Sequence, residues 1–598
     1  MTTQRLTGGE IVMERLIAEG VPYLIGIPGH GILGLMDAAS ERSEKIKVIQ
    51  TRHEQSAIHM ADGYYRVRGR PLACFTSIGP GALNCAVGLG ASYVDSTAVL
   101  LLSGEAHTYM AGRGVLQEIE RQRPADLPTV LEPLTKKSYR PQSPQALNDA
   151  LDEAFVEMRT GRPGPVFISI PMDVQAEAAD VTVTRSFVDV PNPLAPESYV
   201  VAAAASLLKA AKRPVIVAGG GVTLANAEKQ LLRLAEQTGA AVVTTLQSKG
   251  CFPEDHPLYC WLPGSKGTSV GNAVTTSADV ILAVGCRFTD QTASSYRKGA
   301  TFNFPETKLI QIDIDPAEIG KNYPVNVAVL GDAAKSLEAI SEKFGESVNW
   351  ESGEYFKDIQ GYRMAWLQEV AILRDSGMSP PTVPRFFREL REVLDRDAIV
   401  VTSSGHAQAC VLEFPLYEPR TNLTSGGFST MGFAFPAALG ARLAEPFRQI
   451  VAVVGDGDFM MTMQEMATAM QYGIDIVVIV LNNRGWYSIR DLQKDAFGED
   501  RDYATVFGDR GTPDFYAAAR AFGWHADRVD EPGNIKTALE RALATEGPAL
   551  VEIAVQQEFP YSGSNVVGWW DVPVPEYLEV RRAAYVTELG EVQERPKR

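Results

Sequence analysis

Apolar residues along the chain are grouped into short runs rich in Val, Ile and Leu, and longer amphipathic stretches separate these runs. Such runs include PLACFTSIGPG, AVLLLSG, PVIVAGGGV, QIVAVVGDGDF and IDIVVIVLNN. Strands of a parallel sheet are buried on both faces and form continuous apolar runs, whereas the helices between them are apolar on one side only. The pattern therefore predicts an α/β protein built from doubly wound parallel sheets.

The alternation weakens at two places, which divides the chain into three units of similar size. Residues 181–198 lose the pattern and gain prolines, and residues 346–384 form an aromatic and charged connector. We therefore predict an N-terminal domain over 1–183, a central domain over 198–345 and a third domain over 384–556. A chain of 598 residues is also too long for a single hydrophobic core.

The remaining segment, 557–598, is too aromatic for a plain disordered tail. Trp569 and Trp570 are followed by DVPVP, which indicates an extended segment anchored by aromatic side chains, and a helix is predicted from about Glu576. Two interpretations remain open. The segment is either an arm packed on a neighbouring subunit or a lid that brings both tryptophans to a substrate pocket and excludes water.

Composition and charge exclude several classes of protein. The start, MTTQRLTGGE, has no basic region followed by an apolar stretch, and no window gives about eighteen uninterrupted apolar residues. We therefore expect no signal peptide, no membrane span and a cytoplasmic location. The net charge of −17 argues against a nucleic-acid partner. The six cysteines form no CxxC pair, so no cysteine-bound metal is expected.

Two short motifs follow neighbouring strands of the third predicted domain. Gly455, Asp456 and Gly457 come directly after QIVAVV, and Asn482 and Asn483 come directly after IDIVVIVL. Open α/β sheets bind ligands at the carboxyl ends of their strands. An Asp carboxylate, an Asn amide oxygen and a backbone carbonyl are hard ligands suited to Mg²⁺, with phosphate oxygens completing the shell. Each motif alone is a common turn, so the indication of a Mg²⁺-diphosphate site rests on the pair.

The pair, with twenty-four residues between Gly457 and Asn482, resembles the signature of thiamine diphosphate-dependent enzymes. By this resemblance Asp456, Asn483 and the carbonyl of Gly485 would be the protein ligands of Mg²⁺. Met431, in LTSGGFSTMGFAFPAALGA, would be the apolar wedge that bends the cofactor. The other cofactor contacts implied by the resemblance are Asn84, Ser404, Gly405, His406, Ser429, Gly455, Gly457, Asp458 and Trp486.

A thiamine enzyme also needs a carboxylate against the aminopyrimidine ring of the cofactor. The candidate is Glu54, in KVIQTRHEQSAIHMADGYYRVRG, a stretch that resembles the acetolactate synthase pattern. Its role would be to hydrogen-bond the ring nitrogen opposite the amino group, so that the cofactor carries out the carbanion chemistry. The family builds each active site from two subunits, and the resemblance therefore implies a homodimer or homotetramer with shared sites.

The positions that should choose the substrate differ from acetolactate synthase. His30, in IPGHGIL, would face the thiazolium and could move a proton, and Gln117 would approach the substrate. After Asn483 the chain reads RGWYSIRDLQ, which predicts a short helix that aims Leu492 or Gln493 at the cofactor.

This pattern resembles the actinobacterial 2-hydroxyacyl-CoA lyases, in which Leu127 would narrow the pocket and a glutamate would stand at the position of Gln493. An amide is neither an acid nor a base, so either the protein is an altered or slow form of such an enzyme, or water or His30 carries the proton. The expected activity is cleavage of a short 2-hydroxyacyl-CoA to formyl-CoA and a ketone or aldehyde, which is reversible. The alternative is a decarboxylating carboligase of the acetolactate synthase or glyoxylate type, acting on 2-oxo acids.

The central domain resembles those that bind FAD in acetolactate synthases or ADP in the acyl-CoA lyases of the superfamily. Gly220, Arg287 and Asp313 could hold such an adenine nucleotide. The GGG stretch is not the GxGxxG fingerprint, so the identity of the nucleotide stays open.

Overall fold

The computed structural model describes residues 3–119, 126–186, 194–265, 267–508, 510–557, 572–592 and 594–596. Within these residues the chain forms three successive α/β units, each built around a parallel sheet with helices packed against it. The predicted fold class is therefore confirmed. Trp569 and Trp570 lie outside the described residues, so their placement as pocket residues stays a prediction.

The first unit contains a six-stranded parallel sheet of order β3-β2-β4-β5-β7-β6, beside a two-stranded antiparallel ribbon of β1 and β8. Strand β4 is buried along its whole length, as expected for LACFT between two helical layers. The strands are β1 Gln4–Thr7, β2 Tyr23–Gly26, β3 Lys47–Gln50, β4 Leu72–Thr76, β5 Val99–Glu105, β6 Lys137–Tyr139, β7 Val166–Pro171 and β8 Ala178–Val181. The α-helices are Gly8–Glu19, Leu33–Ser40, Glu54–Arg68, Pro80–Asn84, Ala86–Asp95, Leu127–Leu131, Pro144–Glu157 and Met172–Ala176.

The central unit has a five-stranded parallel sheet of order β10-β9-β11-β12-β13. Its strands are β9 Pro214–Ala218, β10 Ala241–Thr244, β11 Val280–Val284, β12 Lys308–Asp313 and β13 Val327–Leu330. Its helices are Ser198–Ala210, Gly220–Leu224, Glu228–Thr238, Ser269–Thr276 and Ala333–Phe344.

The third unit has a six-stranded parallel sheet of order β15-β14-β16-β17-β19-β18. Its strands are β14 Ile399–Thr402, β15 Asn422–Thr424, β16 Ile450–Gly455, β17 Val477–Asn482, β18 His525–Val529 and β19 Ala549–Ala554. Its helices are Val383–Val393, His406–Cys410, Ala434–Ala444, Asp456–Met460, Met466–Tyr472, Tyr487–Phe497, Phe515–Ala521 and Ile535–Ala544.

The connector between the second and third units is more regular than its sequence indicated. Residues Glu354–Arg374 form a helix of 21 residues. Its buried side chains, Ile359, Trp366 and Val370, pack into the hydrophobic core of the central unit. The spacing of these three residues, seven and then four, places them on one face of the helix.

The described part of the C-terminal segment packs against the third and central units of the same chain. Its helix, Glu579–Leu589, approaches the helix Tyr487–Phe497, where Arg581 donates a hydrogen bond of 3.0 Å to the carbonyl of Asp495. Glu591 then reaches the central unit, where it pairs with Lys298 at 2.9 Å. No helix among the residues the structure describes is both long and apolar enough to span a membrane.

The first and third units share one continuous hydrophobic core. Helix Glu54–Arg68 of the first unit crosses helix Ala434–Ala444 of the third, with Gly63 and Gly440 at the contact. A Cβ atom at Gly63 would lie 2.1 Å from the carbonyl oxygen of Ala437, and one at Gly440 would lie 1.9 Å from that of Met60. This close crossing fixes the helix that begins with Glu54 against the unit that carries Asp456.

Candidate active site

The carboxylate of Asp456 lies at the carboxyl end of β16, where it is almost fully buried. Its Oδ1 accepts a hydrogen bond of 2.9 Å from the backbone N–H of Gly457, and its Oδ2 accepts one of 3.1 Å from that of Gly485. Burial raises the pKa of Asp456 to about 6, although these N–H groups act in the opposite direction. The two loops that follow β16 and β17 are therefore joined through this one side chain.

The two asparagines after β17 have different environments. Asn482 donates to Oε1 of Glu552 at 2.8 Å, and its own Oδ1 accepts from the N–H of Arg484 at 3.2 Å. The Oδ1 of Asn483 is buried and accepts no hydrogen bond from any residue that the structure describes. A buried oxygen without a partner costs free energy unless a cation or a donor satisfies it. Asn483 and Asp456 thus offer the hard oxygen ligands that Mg²⁺ requires, and the predicted metal site fits the residues present.

Trp486 packs directly against the turn that carries Asp456. A Cβ atom at Gly457 would lie 2.2 Å from the Trp486 ring, so the indole occupies the space that any side chain there would need. The indole in turn packs edge-on against Phe507, with ring centroids 5.0 Å apart. Gly457 is therefore required by close packing and not only by the turn.

The loops that follow β14 and β15 meet the same turn. Asp458 accepts a hydrogen bond from the backbone N–H of Gly432, the residue after Met431. Ser429 donates to Ser404 at 3.0 Å, which joins the loop after β15 to the loop after β14. Burial raises the pKa of Asp458 to about 7. The structure thus brings together the predicted cofactor contacts of this unit at the carboxyl edge of its sheet.

His406 links this edge to the following helix. Its Nε2 lies 3.1 Å from Oδ2 of Asp491, which belongs to the helix Tyr487–Phe497. At Gly405, a Cβ atom would lie 3.6 Å from Oγ of Ser488 on the same helix. The helix predicted from SIRDLQ is therefore present and lies over the loop after β14, as Leu492 and Gln493 require if they are to approach the cofactor.

Glu54 is the first residue of helix Glu54–Arg68 and is half-buried at the carboxyl edge of the first unit's sheet. Its Oε2 accepts a hydrogen bond of 2.9 Å from Nδ2 of Asn84. Its Oε1 faces Gly81 in the SIGPGALN loop, 3.2 Å from the position of a Cβ atom there. Asn84 therefore holds one carboxylate oxygen and leaves the other for a ligand.

Gln117 and His30 border the same SIGPGALN loop. The backbone of Gln117 packs against Gly79, and its buried side-chain Oε1 has no hydrogen-bond partner within the described ranges. His30 is exposed at the start of a 3₁₀ turn, and the N–H of the next residue donates to Oγ of Ser77 at 3.4 Å. His30, Glu54 and Gln117 therefore lie around this loop at one edge of the sheet, and their roles at the cofactor stay predictions.

The residues predicted to shape the substrate pocket lie in different environments. Gln493 donates to the carbonyl of Tyr503 at 3.2 Å and accepts from the N–H of Tyr503 at 2.8 Å. Both ends of its amide therefore stabilise a loop, and its catalytic role stays a prediction. Leu127 lies in the buried core of the first unit, and Leu492 is half-buried on the helix Tyr487–Phe497. Their roles as pocket residues are also untested.

Glu465 is a residue of this region that the sequence analysis missed. It is fully buried, and both its carboxylate oxygens accept from the backbone N–H of Arg52, two residues before Glu54. Thr468 donates to the same carboxylate at 2.6 Å. The available signal was a single acidic residue within the apolar stretch FMMTMQEMATAM, because an acid in a buried stretch needs partners.

In the central unit, the three predicted nucleotide contacts share one edge of the sheet. Gly220 follows β9, Arg287 follows β11 and Asp313 ends β12, and these strands are adjacent. Burial raises the pKa of Asp313 to about 6. The geometry is compatible with a ligand at this edge, and binding of ADP or FAD stays a prediction.

Comparison with known proteins identifies the family of all three units. Three family models match the chain: the N-terminal TPP binding domain of thiamine pyrophosphate enzymes over residues 6–124, their central domain over 201–340 and their C-terminal TPP binding domain over 403–553. A probable acetolactate synthase large subunit of Methanocaldococcus jannaschii is 36% identical, with 92% of each chain covered. The acetolactate synthase of Mycobacterium bovis is 34% identical over 92% of this chain and 88% of its own. The large subunit from Corynebacterium glutamicum is 34% identical over 93% and 88%.

These relatives correct one expectation from the sequence. The expected resemblance to 2-hydroxyacyl-CoA lyases, and the cleavage of an acyl-CoA that it implied, is wrong. The relatives above, which match more than nine-tenths of this chain, are named acetolactate synthases. The departures at His30, Gln493 and the SIRDLQ helix do not outweigh this similarity. The chain belongs to the thiamine pyrophosphate enzyme family, with acetolactate synthases among its relatives.

Proposed function

We propose that this protein is a thiamine diphosphate- and Mg²⁺-dependent carboligase that decarboxylates one 2-oxo acid and joins the remaining acyl group to a second carbonyl compound. The observation that carries this proposal is the similarity to proteins named acetolactate synthase, at 32–36% identity over more than nine-tenths of the chain. The expected product from two molecules of pyruvate is 2-acetolactate and CO₂. Retention of Glu54 disfavours the glyoxylate type of carboligase, whose pattern lacks this acid.

The third unit would hold the diphosphate end of the cofactor. Asp456, Asn483 and the carbonyl of Gly485 are the proposed protein ligands of Mg²⁺, supported by the buried, unpartnered Oδ1 of Asn483. When bound, thiamine diphosphate supplies the electron sink that lets the first 2-oxo acid lose CO₂. Met431, half-buried in the loop tied to Asp458, is the proposed apolar support of the cofactor.

The first unit would act on protons. Oε2 of Glu54 accepts from Asn84, and the proposed role of Oε1 is to share a proton with the pyrimidine ring nitrogen of the cofactor. The amide of Gln117, whose buried oxygen has no partner among the described residues, is proposed to hydrogen-bond the substrate. His30 is the proposed donor of the proton that the carbonyl oxygen of the second substrate takes up as the new C–C bond forms.

Each active site is proposed to combine the first unit of one subunit with the third unit of another. Exposed apolar side chains support this assembly, because they flank both half-sites and are costly to leave in water. Leu83 and Val87 flank Asn84 and are 38% and 44% exposed, and Met461, just after the Asp456 turn, is 44% exposed. A homodimer or homotetramer would cover them. An adenine nucleotide, FAD or ADP, is proposed for the edge formed by Gly220, Arg287 and Asp313.

The test is to incubate the full chain with thiamine diphosphate, Mg²⁺ and pyruvate and to follow CO₂ release and product formation by NMR. We expect 2-acetolactate, and loss of turnover in both Glu54→Gln and Asp456→Asn. Calorimetric titration should show that Glu54→Gln still binds the cofactor, whereas Asp456→Asn does not bind it with Mg²⁺. If the cofactor-loaded protein released no CO₂ from pyruvate, 2-oxobutanoate or glyoxylate, the proposal would be refuted while the cofactor site stood.

A further inference from the structure

A cavity of about 600 Å³ lies where the connector helix Glu354–Arg374 meets the helix Val383–Val393 of the third unit. Four arginines line it, and we call it the arginine cavity: Arg374, Arg388, Arg391 and Arg396. Its lining includes residues just before β14 and between Glu413 and β15. Because β14 and β15 run parallel, the arginine cavity lies at the amino edge of the sheet, opposite the edge that carries Asp456.

The acidic side chains of the arginine cavity already have cationic partners. Asp255 pairs with Arg396 at 3.0 Å, and Asp375 pairs with Arg388 at 2.8 Å. A further lining acid, Glu392, pairs at 3.1 Å with a lysine outside the cavity. Arg388 also pairs with Glu389 at 3.1 Å and with Glu392 at 3.8 Å. Arg396 pairs with Glu418 at 3.3 Å, and Arg374 pairs with Asp375 at 3.6 Å. Three of the four guanidinium groups therefore have carboxylate partners.

Arg391 is the cation that lacks a carboxylate. Among the residues that the structure describes, it forms no ion pair, and its Nη atoms donate instead to backbone carbonyls, including those of Leu394 at 2.6 Å and Pro415 at 3.4 Å. Desolvation, with the nearby charge of Arg396, lowers the pKa of Arg391, as expected for a partly buried cation without a counter-ion. Glu413 does not compensate, because burial raises its pKa to about 8 and keeps it largely protonated at neutral pH.

The guanidinium groups are held in place before any ligand arrives. Arg391 lies over the rings of Phe414 and Tyr417, at 5.0 and 5.5 Å from their centroids, and Arg396 lies over Tyr417 at 4.2 Å. A guanidinium group that is held over aromatic rings and has no carboxylate partner, such as that of Arg391, favours the binding of phosphate oxygens, because little conformational entropy is lost on binding.

We propose that the arginine cavity is a binding site for a small molecule that carries a phosphate monoester, with Arg391 as the phosphate ligand. The cavity volume is that of a pocket for a metabolite-sized ligand. Asp255 comes from the central unit, whereas Arg391 comes from the third unit. A bound phosphate would therefore also strengthen the contact between these two units. The site is separate from the proposed carboligase site and does not depend on it.

The test uses the full chain saturated with thiamine diphosphate and Mg²⁺, so that phosphate cannot occupy the cofactor site. Inorganic phosphate and glycerol 3-phosphate are titrated separately by calorimetry at constant ionic strength, with chloride as the reference anion. We expect saturable binding that is weakened about tenfold or more in Arg391→Gln. Tighter binding of glycerol 3-phosphate would identify an ester as the ligand, and equal binding would identify free phosphate; either supports the site.

The matched control is Arg541→Gln, which removes an exposed arginine paired with Asp527 outside the cavity and should leave phosphate binding unchanged. Arg391→Lys keeps the charge but loses the planar guanidinium group, so its affinity for phosphate should lie between those of the wild type and Arg391→Gln. It keeps the test decisive if Arg391→Gln fails to fold. Absence of saturable binding to the wild-type protein, or equal binding by the wild type and Arg391→Gln, would overturn the proposal.

Discussion

The carboxylate of Glu465 accepts hydrogen bonds from the backbone N–H of Arg52, with both oxygens 3.1 Å from the nitrogen. Glu465 belongs to the third unit and Arg52 to the first, two residues before Glu54. The contact therefore ties the turn that carries the proposed activating carboxylate to the unit that carries Asp456. A fully buried carboxylate is expensive to desolvate, which makes these bonds difficult to replace.

Replacing Glu465 should change the position of the Glu54 carboxylate, although the two side chains are linked only through the backbone of Arg52. In Glu465→Ala the N–H of Arg52 and the hydroxyl of Thr468 lose their acceptor, and we expect the free energy of unfolding to fall by about 2–3 kcal/mol. We also expect slower hydrogen–deuterium exchange at C2 of the bound cofactor, measured by NMR. Glu465→Gln keeps one acceptor oxygen, so it should restore part of the free energy of unfolding and part of the exchange rate at C2. Thr468→Val is the control, and unaltered exchange in Glu465→Ala would contradict the positioning role.

The two adjacent asparagines give a matched pair of variants. Asn482→Ala breaks the bond to Glu552 and should lower the stability of the cofactor-free protein by about 1 kcal/mol. Asn483→Ala removes an oxygen that has no partner, so it should leave that stability unchanged or slightly higher, yet abolish Mg²⁺-dependent binding of thiamine diphosphate. Urea denaturation measures the stability of each variant, and calorimetry measures its binding of thiamine diphosphate with Mg²⁺. The assignment fails if Asn483→Ala binds the Mg²⁺ complex normally.

Two glycines around Asp456 should respond differently to a methyl group. Gly457→Ala forces the Trp486 ring aside, and we expect a loss of about 1–3 kcal/mol in the cofactor-free protein. Gly455→Ala adds a Cβ atom that meets nothing within 4 Å, at an ordinary negative φ, and should be neutral. Tryptophan fluorescence with urea denaturation measures both. Equal stabilities would mean that Trp486 does not pack on the turn.

Burial of His59 should make stability depend on pH. Its ring is fully buried against Phe433, and desolvation lowers its pKa from 6.5 to about 4. Below pH 6.5 the unfolded chain binds a proton that the folded protein refuses until about pH 4, so the free energy of unfolding falls across this window. The loss is on the order of 3 kcal/mol. His59→Gln should show a shallower decline in urea midpoint between pH 6.5 and 4, and identical slopes would disprove this cause.

The sequence predicted the sheets and the edge of each sheet that carries chemistry, because parallel strands are continuous apolar runs and their carboxyl ends share one side. The family resemblance singled out Asn483 as the Mg²⁺ ligand, but the sequence could not show that Asn482 is held by Glu552, which comes from another strand. The connector looked irregular because only three of the 21 residues in its helix are buried. The pairing of the Gln493 amide with the backbone of Tyr503 could not be predicted either, because no pattern of side chains reveals such a partner. A catalytic role of Gln493 stays a prediction.

The helix crossing at Gly63 and Gly440 has a consequence for how this chain can be divided. Since the first and third units bury one core between them, a fragment that ends before residue 384 would expose the apolar face of helix Glu54–Arg68 to water. Such a fragment should aggregate. The central unit has its own core, so it should fold when it is produced alone together with its connector helix. The two outer units are therefore inseparable partners in folding, although the whole central unit lies between them in the sequence.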